Sequence, residues 1–267
     1  MGGLRVLLRG LLAALMGAVL AALLAVIVGK FTSHQRVLAA EAPEDTESRK
    51  DLLDRIITLV GGIFAFILGL VIVTNLQVMT TARQTTIDEV NGLSQIYSAA
   101  HALPEPEHAL IRSSIRTYVN TVIHTEWPLM SAHKMSPLAQ AQIDNLRNEV
   151  QNWDISTPRL ATMQGQALAG ITAAYSARRT RGLEAEEGLP AFIWGLLIGD
   201  GFVMLCVPLL KGIKFTKTNT TLYILFGVMI ALSLWFVYEL NYPFSGGLTV
   251  KPDAYTLFLQ QAGPISQ

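Results

Sequence analysis

The chain has 267 residues, of which 51% are hydrophobic and only 15% charged, and its 20 Lys and Arg balance its 20 Asp and Glu. With a mean hydropathy of +0.40, it is more apolar than a soluble domain and belongs with membrane proteins. Zero net charge without a long single-sign run excludes a nucleic-acid surface or a polybasic lipid anchor, and a lone Cys206 excludes an intrachain disulfide or a thiolate metal cluster.

A bilayer core of about 30 Å is crossed by about 20 residues of helix. The first stretch of that length is Val6–Val28, within a segment 1–28. Arg5 and Arg9 ahead of an apolar run, with "VLAAEA" further on, resemble a secretory signal. The run Leu11–Val28 is longer than a signal core, and the cleavage-like site lies about ten residues beyond it, so a retained helix is expected. Small residues recur every fourth position, Gly10, Ala14, Ala18 and Ala22 on one row and Gly17, Ala21 and Ala25 on the next. Such rows let helices approach closely in lipid, although alanine is also simply a good apolar helix former.

After a loop over 29–55, the second span is expected over 56–76. In it Gly62, Phe66, Leu70 and Thr74 fall on one stripe of a helix. An apolar stripe serves helix packing or walls a pore; Asn75 and Gln77, polar at the end of the span, suit a hydrophobic constriction that opens into a wetter vestibule.

Residues 77–188 show helical periodicity and no alternating strand pattern, which predicts an extramembrane helical domain. No breaker stronger than Gly92 precedes Pro104, so the second span and the helix entering this domain should form one rod. Leu110, Ile111, Ile115, Tyr118, Val119 and Val122 mark a further helix, which Trp127 and Pro128 should end or kink. "SPLAQAQIDNLRNEV" and "STPRLATMQGQAL" each place a hydroxyl cap before a first-turn proline, predicting two more helices. Arg178, Arg179 and Arg181 with Glu184, Glu186 and Glu187 form a charged stretch that reads as a solvated helix face, or else as charges at a pore mouth or subunit interface.

The third span is expected over 189–210, with Asp200 near its middle. A charge there costs about 2.5–3.5 kcal/mol even on the lenient insertion scale. It either faces a water-filled path or subunit interface, or is a protonated or hydrogen-bonded acid between Gly199 and Gly201 where two helices meet. A loop over 211–221 leads to the fourth span, 222–240, which ends on Glu239; Pro243 and the glycines from Gly246 then stop the helix and turn the 241–267 tail back along the surface. His34, His101, His108, His124 and His133 show no metal-ligand spacing, and no phosphate loop, dinucleotide motif or nucleophile elbow is present, so no enzyme, cofactor or metal site is expected. Basic residues are nearly balanced between the two sides: Lys30, Arg36, Arg49, Lys50, Arg55, Lys211, Lys214 and Lys217 face Arg5, Arg9, Arg83, Arg178, Arg179, Arg181 and Lys251.

The order of these elements resembles the bestrophins, and more closely the bacterial and plant bestrophin-like domain family. The resemblance is carried by "LGL" at Leu68–Leu70, Ala82 and Arg83, Glu89, Leu103 and Pro104, "EWP" at Glu126–Pro128, "ARRTRGL" at Ala177–Leu183, "LPAFIW" at Leu189–Trp194, and "NYPFSG" at Asn241–Gly246, which includes Phe244. It implies a pentameric homo-oligomer with a pore lined by the second span, a hydrophobic neck at Gly62, Phe66 and Leu70, a cytosolic helical domain, and passage of monovalent ions. The sequence departs from bestrophins at Gly62, which replaces a bulky group, and at Val78 and Met79, which stand where bestrophins carry Arg-Trp. "SGGLTVKPD" has only Asp253 where bestrophins have an acidic calcium clasp, so calcium is not carried over.

The expectation is therefore an all-α integral membrane protein of four transmembrane helices, with a helical bundle inserted between spans two and three. It would sit in a lipid bilayer, such as a bacterial inner membrane, and conduct ions passively. The fold leaves anions, favoured by the resemblance, and cations, favoured by Asp200, both open. The alternative function is a non-conducting scaffold or signalling protein whose helical domain binds a partner.

Overall fold

A computed structural model describes residues 8–23, 43–210 and 216–262, with the backbone alone over 43–46. The described elements are helical: α1 Leu8–Leu23, then α2 Pro43–Ala100, α3 Glu107–Thr121, a π-helical turn Val122–Glu126, α4 Trp127–Met130, α5 Pro137–Gln151, α6 Pro158–Glu186, α7 Ala191–Leu210, α8 Lys217–Leu240 and α9 Asp253–Gln261. Three helical stretches, containing the second, third and fourth expected spans, are long and apolar enough to cross a membrane. The described part of the first, α1, is shorter; the rest of Val6–Val28 lies outside the described residues.

The chain divides into two compact units, residues 1–76 with 189–241 and residues 77–188 with 242–267. In the first, α7 and α8 pack with the apolar half of α2 around Phe64, Val71, Leu197, Leu205, Leu209, Ile230 and Val237. Helix α1 joins them through small residues. A Cβ on Gly17 would lie 2.4 Å from the Ala231 Cβ and 2.8 Å from the Gly227 oxygen, and one on Gly227 would lie 2.7 Å from the Ala21 Cβ. These helices touch backbone to backbone, so the Gly17 and Ala21 row is an interface as the spacing allowed.

The second unit is a bundle. Ile111, Ile115 and Val119 of α3 interdigitate with Ile143, Leu146 and Val150 of α5, with Ala167, Ile171 and Ala174 of α6, and with Leu93, Ile96 and Ala100 of α2. Each of these Ile, Leu and Val side chains fully withdrawn from water contributes about 1.5–3 kcal/mol. Ser136 and Thr157 accept from Ala139 and Leu160, starting α5 and α6 as their Ser-Pro and Thr-Pro pairs require. Thr216 caps α8 in the same way through Asn219, so that helix begins at Lys217, ahead of the apolar run.

Helix α2 also starts early. Pro43–Arg55, expected as loop, is its first part, because "ESRKDLLDR" is rich in helix formers and carries an i,i+4 ion pair, Asp51 to Arg55 at 3.1 Å. The helix runs without a break from before the second span to Ala100. Gly92, read from the sequence as a weak breaker, is a contact point instead: a Cβ there would lie 2.6 Å from the Gly170 oxygen, and one on Gly170 would lie 2.7 Å from the Gly92 oxygen. The helix does not end before Trp127 and Pro128: α3 runs on through the π turn into α4, the Trp127 amide donating to the Val122 carbonyl, a widening that makes room for the proline ring.

Gly92→Ala or Gly170→Ala therefore costs about 1–3 kcal/mol of stability, because α2 and α6 must separate. Gly165→Ala, at an open position of the same α6, should raise stability by about 0.5–1 kcal/mol. Thermal unfolding in detergent reads both signs in one experiment.

Candidate functional site

Two features of α2 stand out, one on each unit. In the first unit the candidate neck residues are all turned outward: Gly62 and Thr74 are exposed, Phe66 is 71% exposed and Leu70 57%. Leu59, Ile63 and Val73 share that face, while Phe64, Val71 and Asn75 point inward. Beyond Leu76 the exposed positions of the same helix are mostly polar, Gln77, Thr80, Thr81, Arg83, Gln84, Asp88, Asn91 and Gln95 among them, with Ile87 the apolar exception. Thr74 donates to the Leu70 carbonyl at 2.9 Å, which satisfies its hydroxyl within the helix and lets it lie on the apolar face at little cost.

In the second unit, at the turn where Thr86, Glu89 and Leu93 face inward, α2 contributes a carboxylate to a buried charge cluster. Arg181 of α6 is completely buried. Its Nη2 lies 2.9 Å from Glu89 Oε2 and 3.2 Å from Glu89 Oε1, and 2.8 Å from Glu126 Oε1, the hydrogen bonds being directed at the two Oε1 atoms. Glu126, also fully buried, takes Arg178 Nη2 on its other oxygen at 2.6 Å and the Ser136 amide at 3.1 Å. Arg178 in turn donates to Gln140 and to the Ser136 carbonyl. Tyr118 donates to Glu89 at 2.5 Å. The Arg181 guanidinium lies 5.5 Å from the ring centres of both Trp127 and Tyr255, and its Nη1 reaches the Met130 sulfur at 3.6 Å.

Two guanidiniums and two carboxylates make this cluster neutral. Burial pushes the Glu89 carboxyl up, and Arg181 and Tyr118 hold it back only in part. Burial alone would lower Arg181, but Glu89, Tyr255 and Glu126 hold it above its ordinary value, so it stays charged. Tyr118 and Tyr255 are pushed well up by burial and by Glu89, and are permanent neutral groups. None of these is a nucleophile beside a base. The cluster is an electrostatic bolt joining α2, α3, α6 and α9, fastened through the π turn that carries Glu126.

The bestrophin-like domain family profile matches residues 21–255, which include both features. The chain belongs to the bestrophin-like family. Its fold is similar to that of a point mutant of a bacterial bestrophin homologue from Klebsiella pneumoniae, at a TM-score of 0.62 with 12% identity over 97% of this chain and 98% of that one. A second crystallised membrane protein, also a point mutant, gives 0.62 at 10% identity over 97% and 99%. Another mutant of the Klebsiella homologue gives 0.58 at 10% identity over 97% and 100%. No curated protein matches the chain by sequence.

In this bestrophin-like protein the charged stretch before α7 is split. Arg179 is exposed with Arg83, as a solvated face requires, but Arg178 and Arg181 are core residues, because the face of α6 that packs on α3 and α5 passes through them. Glu126, Tyr118 and Tyr255 are the cluster members that sequence reasoning did not single out; Glu126 is the first residue of the "EWP" that carried the family resemblance. Asp200 is half-buried on α7, with Oδ2 shielded and without a hydrogen-bond partner. Glu239 is buried, and its Oε1 lies 3.6 Å from Arg9 Nη1, so the acid at the end of the last span is held by the cation at the start of the first helix. The tail motif folds inward. Val250 donates to the Pro243 carbonyl at 2.8 Å, Gly246 takes φ 90°, and Phe244 is buried edge-on against Trp127, 5.4 Å between ring centres.

Arg181→Met should cost about 3–5 kcal/mol, since it leaves Glu89 and Glu126 buried without their shared partner. A substantial part should be recovered in the triple variant Arg181→Met, Glu89→Gln, Glu126→Gln, measured by chemical unfolding; no recovery would mean that the charges are not coupled. Glu184, half-buried against Thr85, is pushed up to about 7 by burial, with Thr85 and Arg181 opposing. An unfolded glutamate titrates near about 4.3, so between these values the folded state holds the extra proton, and stability falls as pH rises through that window. Glu184→Gln should flatten this fall in thermal midpoints measured from about pH 4.5 to 8.

Proposed function

We propose that this bestrophin-like protein is an oligomeric ion channel whose pore is lined by α2. The observation that carries the reading is the outward stripe of α2, apolar from Leu59 through Phe66, Leu70 and Val73 and polar from Gln77 onward, left uncovered within one chain. A ring of such helices makes a hydrophobic neck that opens into a wetter, mostly uncharged vestibule. Gly62, bare on the same face, makes the neck wider at that end than bulky side chains would. The family supports a five-fold ring and a cytosolic helical unit, in a bacterial inner membrane.

Phe66 and Leu70 are the gate or sieve, both turned outward on the apolar part of α2. Asp200 tunes the field on the permeating monovalent ions, its shielded Oδ2 having no hydrogen-bond partner among the described residues. Anion passage is the family-based expectation, and a weight of Asp200 on the path favours cations. A non-conducting scaffold is the second reading, supported by the size of the helical unit.

Native mass spectrometry should give a single closed oligomer. In liposome flux assays Phe66→Ala and Leu70→Ala should raise passive flux several-fold, and Asp200→Asn should shift the anion-to-cation ratio. A monomer or dimer without flux would overturn the channel in favour of the scaffold; flux unchanged in all three variants would reject the neck and field assignments.

A further inference from the structure

The end of α2 and the start of α3 bring together two histidines whose sequence spacing suggested nothing. His101 and His108 flank the Pro104 and Pro106 turn, and their ring centres are 4.7 Å apart, tilted by 48°. The partner of each Nδ1 is an oxygen that can only accept. His101 Nδ1 meets the Tyr97 carbonyl at 3.0 Å. His108 Nδ1 meets Glu105 Oε1 at 3.1 Å. Both Nδ1 atoms must therefore carry the proton, and in the neutral rings both Nε2 atoms are left as lone pairs. The His108 Nε2 is shielded from solvent and has no hydrogen-bond partner, a costly state for an acceptor. The His101 ring beside it is exposed.

An Nδ1–H given to a carboxylate or a backbone carbonyl, with Nε2 free, is the arrangement that orients histidines as metal ligands. The ring separation agrees. With a metal–nitrogen bond of about 2.0–2.1 Å and a ring radius of about 1.1 Å, two imidazoles in adjacent positions on one ion have centres about 4.5–5.2 Å apart. We propose that His101 and His108 form a divalent transition-metal site, with Glu105 as the outer partner that fixes the His108 ring. No third His, Cys, Asp or Glu joins them among the described residues, so water completes the coordination and the site is an open one. Two neutral nitrogens select Cu2+, Zn2+ or Ni2+ over Mg2+ and Ca2+, which prefer oxygen. The guanidinium of Arg112 lies over Tyr97, 5.7 Å from its ring centre, and a neutral ligand set tolerates that nearby charge better than a carboxylate set would need to. Bound there, the ion clips the end of α2 to the start of α3 across the proline turn.

The full-length protein in detergent, without a histidine tag, is titrated with Zn2+ by calorimetry. One saturable ion per chain is expected, with tighter uptake of Cu2+ and none of Mg2+. His101→Ala and His108→Ala should weaken Zn2+ by at least about tenfold, and Glu105→Gln by about 10–100-fold, while His124→Ala leaves it unchanged. In the wild-type protein, electron paramagnetic resonance of bound Cu2+ should count two imidazole nitrogens, a readout that does not depend on any variant folding. Absence of saturable uptake, uptake unchanged in both histidine variants, or a Cu2+ spectrum without two imidazoles would overturn the site.

Discussion

A guanidinium sealed from water must be paired, and the helical unit is organised around meeting that demand for Arg181. An isolated buried charge is prohibitively costly. Its partners come from four directions: Glu89 from the long α2, Glu126 from the π turn, the Tyr118 hydroxyl by way of Glu89, and the faces of Trp127 and Tyr255. Each helix must arrive at a set depth and rotation for these contacts to coexist. Apolar packing alone tolerates sliding and repacking; a charge with fixed directions tolerates neither. The bundle's register is thus fixed electrostatically, within an interior whose stability comes from Ile, Leu and Val.

The same pairing fixes α2 within the helical unit. Fifteen residues separate Thr74 on the outward stripe from Glu89 in the bolt, and the helix between them is unbroken. Rotation of α2 about its axis at this turn would carry Glu89 away from Arg181. Gly92 and Gly170, in backbone contact one turn further on, oppose sliding of α2 along α6 in the same way.

Much of this was legible in the residues. Three of the four expected spans announced themselves by length and apolarity, the caps by Ser-Pro and Thr-Pro, and the family by the order of short motifs around Leu70, Glu126, Arg181 and Phe244. What escaped was the side of each helix. Arg178, Arg179 and Arg181 are consecutive charges by composition, and a charged run near a membrane normally faces water; only the packing of α6 shows that two of the three are interior. Likewise Tyr255 sits in a tail that reads as surface chain, and its helix is too short to declare an amphipathic period. The histidine pair was invisible because the proline turn, not helical spacing, brings the two rings together.

Tyr255 and Phe244 give the tail a part in biogenesis. The bulk of the helical bundle leaves the ribosome before α7 and α8 exist, yet one of the two rings against Arg181, Tyr255, and the Phe244 that backs the other, Trp127, come from beyond α8. Until those last spans have been made, the nascent bundle lacks the Tyr255 and Phe244 rings that pack beside its ionic core. Completion of its interior is in effect a proofreading step, in which a soluble-type fold closes only on chains whose membrane segments have all been synthesised.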